Sequence, residues 1–206
     1  MKTLLAILAA SVVMAVPAVA STVVANGSFE EGVTPDNWGL YSSIPGWTVS
    51  TGDLVEVQTG PTLGLTPHDG KNYLEMDGNK NYAIEQIVSL AKGKYALSFW
   101  YSPRMVDDTT NDVEYSLGDK VAGTVMGPSS RQGTSVGTWT HIVSTFKVKT
   151  ADNFNLRFAG AGAEDSLGGL IDDVSINVAP VPVPAAGFLL LGALGGLGAL
   201  KRRRNA

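Results

Sequence analysis

The stretch "KYALSFWYS" (Lys94–Ser102) sets Tyr95, Leu97, Phe99 and Tyr101 against Ala96, Ser98 and Trp100. Large apolar residues at every second position give an extended chain one face to bury, a period that a helix does not share. The segments "YAIEQIVSL", "NDVEYSLG", "TWTHIVSTFKVKT", "NFNLRFAG" and "LIDDVSINV" read the same way, being rich in β-branched and aromatic residues. Between them stand "DGKN", "DGNKN", "AKGK", "SPR" and "GPSSRQG", whose Gly, Asn, Asp and Pro favour turns. Many short strands broken by turns predict an all-β fold, an antiparallel two-sheet jelly-roll-like sandwich.

Both ends depart from this pattern. Residues 1–20, "MKTLLAILAASVVMAVPAVA", join a cationic Lys2, an apolar run and Ala18-Val19-Ala20. That order predicts a secretory signal helix, exported by the Sec translocon and cut by signal peptidase before Ser21. The sandwich domain is expected over 21–179, followed by a Pro-rich linker over 180–184. Residues 185–200 are sixteen uncharged residues that end at Lys201-Arg202-Arg203-Arg204. As a helix they reach about 24 Å, short of a hydrocarbon core of about 30 Å. The reading is a single short transmembrane helix with a basic cytoplasmic tail over 201–206, domain outside.

All 19 acidic residues lie between Ser21 and Pro180, with ten of the 15 Lys and Arg. Ten cations against 19 carboxylates leave that segment at −9. A domain so acidic repels nucleic acid and suits hard cations or neutral polymers. There is no cysteine, so disulfides, thiolate metal sites and Cys nucleophiles are excluded.

Two segments carry the local signal for a site, "NGSFEEG" (Asn26–Gly32) and "GLIDDVSINV" (Gly169–Val178). Alternation in the second places Leu170, Asp172, Val174, Ile176 and Val178 on one face, so Asp172 is expected to begin a core-facing row. A carboxylate there requires a partner or a metal. Glu30, after the core-like Phe29, is in the same position. The two, with loop carbonyls, could offer oxygen ligands to Ca²⁺. Equally, Asn26 and Glu30 could cap the first turn, and Asp172 and Asp173 could bond backbone amides or Arg157.

Taken in order, "NGSFEEG", "IPGWTV", "VEV", "DGKNYLEMDG", "AIEQIVSL", "GKYALSFWYS" and "GLIDDVSI" resemble the galactose-binding-like β-sandwich of many carbohydrate-binding modules. They are closer still to the bacterial choice-of-anchor C group and the related plant cell-wall domain. The resemblance runs from about Val24 to Val178 and implies a sandwich of eight to ten strands. It also implies a structural calcium between the first and last segments. Carried over by position, Glu30 and Asp172 would be side-chain ligands, joined by Ser28 and the "HDGK" turn with Asp69, and Asp173 would be the alternate to Asp172.

Sugar rings stack on exposed aromatic faces. Trp38 and Tyr41, in a loop-like segment, and Trp100, opposite Leu97 and Phe99, are the expected platform. Trp47, Tyr95 and Phe99 are expected in the core. Enzyme motifs are absent: there are two histidines, His68 and His141, and no G-x-S-x-G or H-E-x-x-H. Glu56, Glu75, Glu85 and Glu114 could pair as in a glycosidase, but with 19 carboxylates such pairs arise by chance. The expectation is a non-catalytic module.

The last 26 residues resemble the three-part C-terminal sorting signals of Gram-negative bacteria, the PEP-CTERM type. "VPVPAAG" is similar to the VPLPA-CTERM motif, carried by Val181, Pro182, Val183, Pro184 and Ala185, with Val183 in place of Leu. This resemblance implies processing by an exosortase-type membrane transpeptidase. The helix would anchor the protein transiently in the inner membrane before release to the cell surface or extracellular polysaccharide.

Overall fold

The computed structural model describes residues 23–33, 35–107, 109–129 and 131–179. The signal segment, the sorting motif Val181–Ala185, the apolar span and the cluster Lys201–Arg204 lie outside the described residues. Among the described residues no helix is long and apolar enough to cross a membrane.

Those residues form eleven strands: β1 (Trp38–Tyr41), β2 (Thr48–Thr51), β3 (Val55–Thr59), β4 (Asn72–Glu75), β5 (Ala83–Leu90), β6 (Gly93–Ser102), β7 (Val113–Leu117), β8 (Val121–Val125), β9 (Thr140–Val148), β10 (Asp152–Gly160) and β11 (Leu170–Val178). They build two antiparallel sheets, ordered β1-β3-β4-β11-β6-β9 and β2-β5-β10-β7-β8. The predicted two-sheet sandwich is therefore present, with eleven strands rather than eight to ten.

The inner faces supply the core. In β6, Tyr95, Leu97, Phe99 and Tyr101 are buried while Ala96, Ser98 and Trp100 are only half-buried. Facing them, β10 contributes Phe154, Leu156 and Phe158. Phe99 and Phe158 meet edge to face at 5.0 Å, and Trp47 meets Phe158 at 6.1 Å. Such offset contacts place the electron-poor ring edge on a neighbour's electron-rich face.

The N-terminal segment is tied to both sheets. Gln86, on β5, exchanges two hydrogen bonds with the backbone of Ala25. The Val174 amide, on β11, donates to the Gly27 carbonyl at 2.9 Å. Gly27 must be glycine for that approach, because a Cβ there would lie 2.0 Å from the Val174 carbonyl oxygen.

That last contact goes with a change of phase along β11, which does not keep a single alternation throughout. The register of β11 against β6 shifts between Asp172 and Ser175, and Asp173 has φ 48°. This is a β-bulge, one extra residue that resets which side each residue faces. Ile171, Val174 and Ile176 enter the main core, whereas Leu170 packs with Leu65 and Tyr73 in a small outer cluster. Asp172 therefore does not share a face with Val174. It lies on the outer side with Leu170, buried beneath the turn at His68–Asn72.

Candidate functional site

The outer face of the six-stranded sheet is where polar residues gather. Strand β3, "VEVQT", sends Val55 and Val57 into the core and Glu56 and Gln58 outward. Register places Trp38 beside Gln58, Leu40 beside Glu56, and Glu75 on the far side of Glu56. The result is a cleft of about 350 Å³, lined by Trp38, Glu56, Gln58, Leu63, Asn79 and Arg104 among others. Trp38 is 55% exposed at its rim, and Leu63 is 43% exposed across from it. Gly78 lets the next loop close over the floor, since a Cβ there would come within 3.0 Å of Leu40.

The floor is a hydrogen-bonded acidic pair. Gln58 Nε2 donates to Glu56 Oε1 at 2.6 Å and to Glu75 Oε2 at 2.8 Å. Glu75, fully buried, also accepts from Arg104 Nη1 and from the Gly168 amide at 3.0 Å. Arg104 Nη1 further donates to the Ser166 carbonyl at 2.9 Å. Asp77 Oδ2 accepts from the amides of Asp165 and Ser166 and so fixes the wall that carries Ser166. Burial, reinforced by the neighbouring Glu75, pushes the Glu56 carboxyl up to about 8. Burial also raises Glu75, opposed by the Arg104 guanidinium.

Several expected residues lie elsewhere. The Trp38–Tyr41 segment is strand β1, not a loop. Its alternation points Tyr41 the other way, against the core beside Val55, so Tyr41 does not join Trp38. Trp100 is on the outer face, but β3, β4 and β11 stand between it and Trp38, a separation of about 19 Å at about 4.8 Å per strand. Both faces of its indole are covered. His68 stacks on one at 3.8 Å, and His141 stacks on it at 4.6 Å, both nearly parallel. The three aromatics therefore do not make one platform.

The residues named for calcium converge on one turn. Glu30 Oε1 accepts from the Lys71 and Asn72 amides, both at 2.7 Å. Asp172 Oδ2 accepts from the His68 and Asp69 amides at 2.8 and 3.0 Å, and Oδ1 from the Asp173 amide at 2.6 Å. Ser28 Oγ donates to Asp69 Oδ2 at 2.8 Å, and Asp173 lies 3.4 Å from His68 Nδ1. Burial pushes Asp172 up to about 8 despite its three amides. Among the described residues no group of three or more His, Cys, Asp or Glu could hold a metal ion. Glu30 Oε1 and both Asp172 oxygens face N–H donors in this arrangement, and calcium would have to displace those amides. Calcium at this turn stays a proposal.

Of the four carboxylates considered for glycosidic chemistry, Glu56 and Glu75 meet, while Glu85 and Glu114 lie on the other sheet. A glycosidase holds its pair about 5 Å or more apart with the sugar between them. Glu56 and Glu75 instead share one amide, Gln58 Nε2, which sits between the two carboxyls. Sequence reasoning did not find Gln58, Leu63, Asn79 or Arg104. The alternation of "VEVQT" was the available signal for Gln58.

The fold is similar to that of TmCBM61 in complex with beta-1,4-galactotriose, with a TM-score of 0.54 and 20% identity over 77% of this chain and 99% of that one. It is also similar to a family 16 carbohydrate-binding module, at a TM-score of 0.49, 16% identity, and 75% and 98% coverage. A family 35 carbohydrate-binding module from Clostridium thermocellum gives 0.45, 17%, and 69% and 99%. No protein-family model matches the chain, and no curated protein matches it. At these identities the likeness to TmCBM61 establishes the sandwich fold.

Proposed function

We propose that the protein is a non-catalytic carbohydrate-binding module whose ligand lies in the Trp38 cleft. One observation carries this reading: an exposed indole stands over a recessed polar floor of Glu56 and Gln58. That is the amphipathic surface a sugar ring requires, apolar for its face and polar for its hydroxyls. The fold shared with a module solved with galactotriose supports the ligand class. Binding to immobilised polysaccharides tests it. Trp38→Ala should weaken binding by about tenfold or more, the scale of one stacked aromatic. Trp100→Ala should leave it unchanged, because its faces are occupied. Equal loss in both variants, or no binding to any glycan, would replace this reading with a structural or adhesive surface protein.

The place of action is part of the proposal. An N-terminal signal and the "VPVPAAG" tail support export, transient anchoring in the inner membrane, exosortase processing and release to the surface or extracellular polysaccharide. Mass spectrometry of the mature chain tests this. Surface protein that still carries Arg204 would overturn it.

A further inference from the structure

The buried polar groups of the cleft floor are mostly spent within the protein, and the buried one left over is an acceptor. Gln58 is 2% exposed, and its Nε2 is committed to two carboxyls. Its Oε1 is buried with no partner. Arg104 Nη1 is held by Glu75 and the Ser166 carbonyl. The Thr62 hydroxyl donates to the carbonyls of Asn37 and Thr59. Glu56, 7% exposed, completes the floor. A buried acceptor without a donor is rare and costly in folded proteins, so this one is suited to a donor brought by the ligand.

Charge narrows the donor. Glu75 and Asp77 lie beneath the cleft, with Arg104 as the cation that lines it, within a domain of −9. Uronate or sulfated sugars would bring a like charge to that floor. A neutral sugar hydroxyl offers one proton and no charge. A protonated amine offers three donors and a charge of the right sign.

We propose that the Trp38 cleft selects an amino sugar, its ring stacked on Trp38 and its ammonium held between the Glu56 carboxylate and Gln58 Oε1, an inference that rests on the cleft being the glycan site. Glu56 is protonated at neutral pH, since burial and Glu75 hold it up at about 8. A neutral amine therefore enters without exchanging a proton with solvent. The Glu56 carboxyl proton moves to the amine nitrogen, and carboxylate and ammonium form together.

Calorimetric titration of the purified protein at neutral pH with a β-1,4-glucosamine oligosaccharide, its fully N-acetylated counterpart and a β-1,4-galactan oligosaccharide tests this. The glucosamine ligand should bind about tenfold or more tightly than the other two, as expected for a paired buried charge. Glu56→Gln should erase that ratio. The comparison between ligands is made on the parent protein, so it decides the question even where Glu56→Gln folds poorly. Equal or tighter binding of the N-acetylated or galactan ligand, lost in Trp38→Ala, overturns the amine selectivity and keeps the glycan cleft. Absence of binding by all three overturns both.

Discussion

Glu56 and Glu75 face each other across β3 and β4, and one amide, Gln58 Nε2, donates to both. Two adjacent buried carboxyls resist carrying two charges, and Arg104 takes the side of Glu75. Glu56 is left to keep its proton.

This sets the pH dependence of stability. Glu56 rises from 4.5 to about 8 on folding, and Asp172 from 3.8 to about 8. Between those limits the folded state binds more protons than the unfolded one. Their contribution is complete below the unfolded values and is lost as pH rises through about 8. Each such proton changes stability by roughly 1.4 kcal/mol per pH unit within the window. The melting midpoint should therefore fall as pH is raised from about 6 to about 8.5. Glu56→Gln should flatten the fall, leaving the share of Asp172. A midpoint that climbs over this range would refute the assignment.

Asp172 closes the turn over β11 with three amide bonds. Asp172→Ala leaves the His68, Asp69 and Asp173 amides without that acceptor, each unmet donor costing about 1–3 kcal/mol when water cannot reach it. Partial hydration of the exposed turn reduces the sum, so a loss of about 2–5 kcal/mol is expected in denaturant unfolding. Amide exchange at His68 and Asp69 should speed up ahead of exchange in β6. A variant within about 0.5 kcal/mol of the parent, the range of ordinary surface changes, would show that the carboxylate is dispensable.

Most strands legible in the sequence bury one face along a long run, the five-residue β7 with its Val113, Tyr115 and Leu117 being the short exception. β5, β6, β9, β10 and β11 each span eight residues or more, enough for period two to stand out. β1 is four residues, "WGLY", and Gly39 occupies one of its two inward positions. With a single inward side chain left, Tyr41, there was no alternation to read. The bulge in β11 was hidden for another reason. "LIDDVSINV" alternates acceptably in either phase, and the phase is decided by the Gly27 carbonyl, far away in sequence. Alternation also put Trp100 outward but could not say that both histidines would cover it. The cleft needed three strands in register, which local pattern does not encode.

Gly27→Ala tests the contact that sets this phase. The added Cβ would overlap the Val174 carbonyl oxygen, a backbone atom that no rotamer can move aside. Either the N-terminal segment lifts or the bulge shifts, and the bond from the Val174 amide is lost in both cases. Overpacking of this kind costs about 1–3 kcal/mol. The variant should melt several degrees lower, at roughly 2–4 °C per kcal/mol for a domain of this size. An unchanged midpoint would mean that the first segment is not docked on β11.

Calcium gives a thermal test with a defined size. An ion held at a hundred times its Kd would add about 2.7 kcal/mol, again several degrees in the midpoint. Glu30 and Asp172 already accept five backbone amides between them, all from one short turn and the bulge beside it. Those donors would have to turn away before a cation could take their place, and the turn would have to reopen. We therefore expect the same midpoint in calcium and in a chelator, and the same loss on Asp172→Ala in both. A midpoint lowered by chelator, with the effect abolished in Glu30→Gln, would instead establish a metal that reorganises the turn and ties the first segment to the last strand.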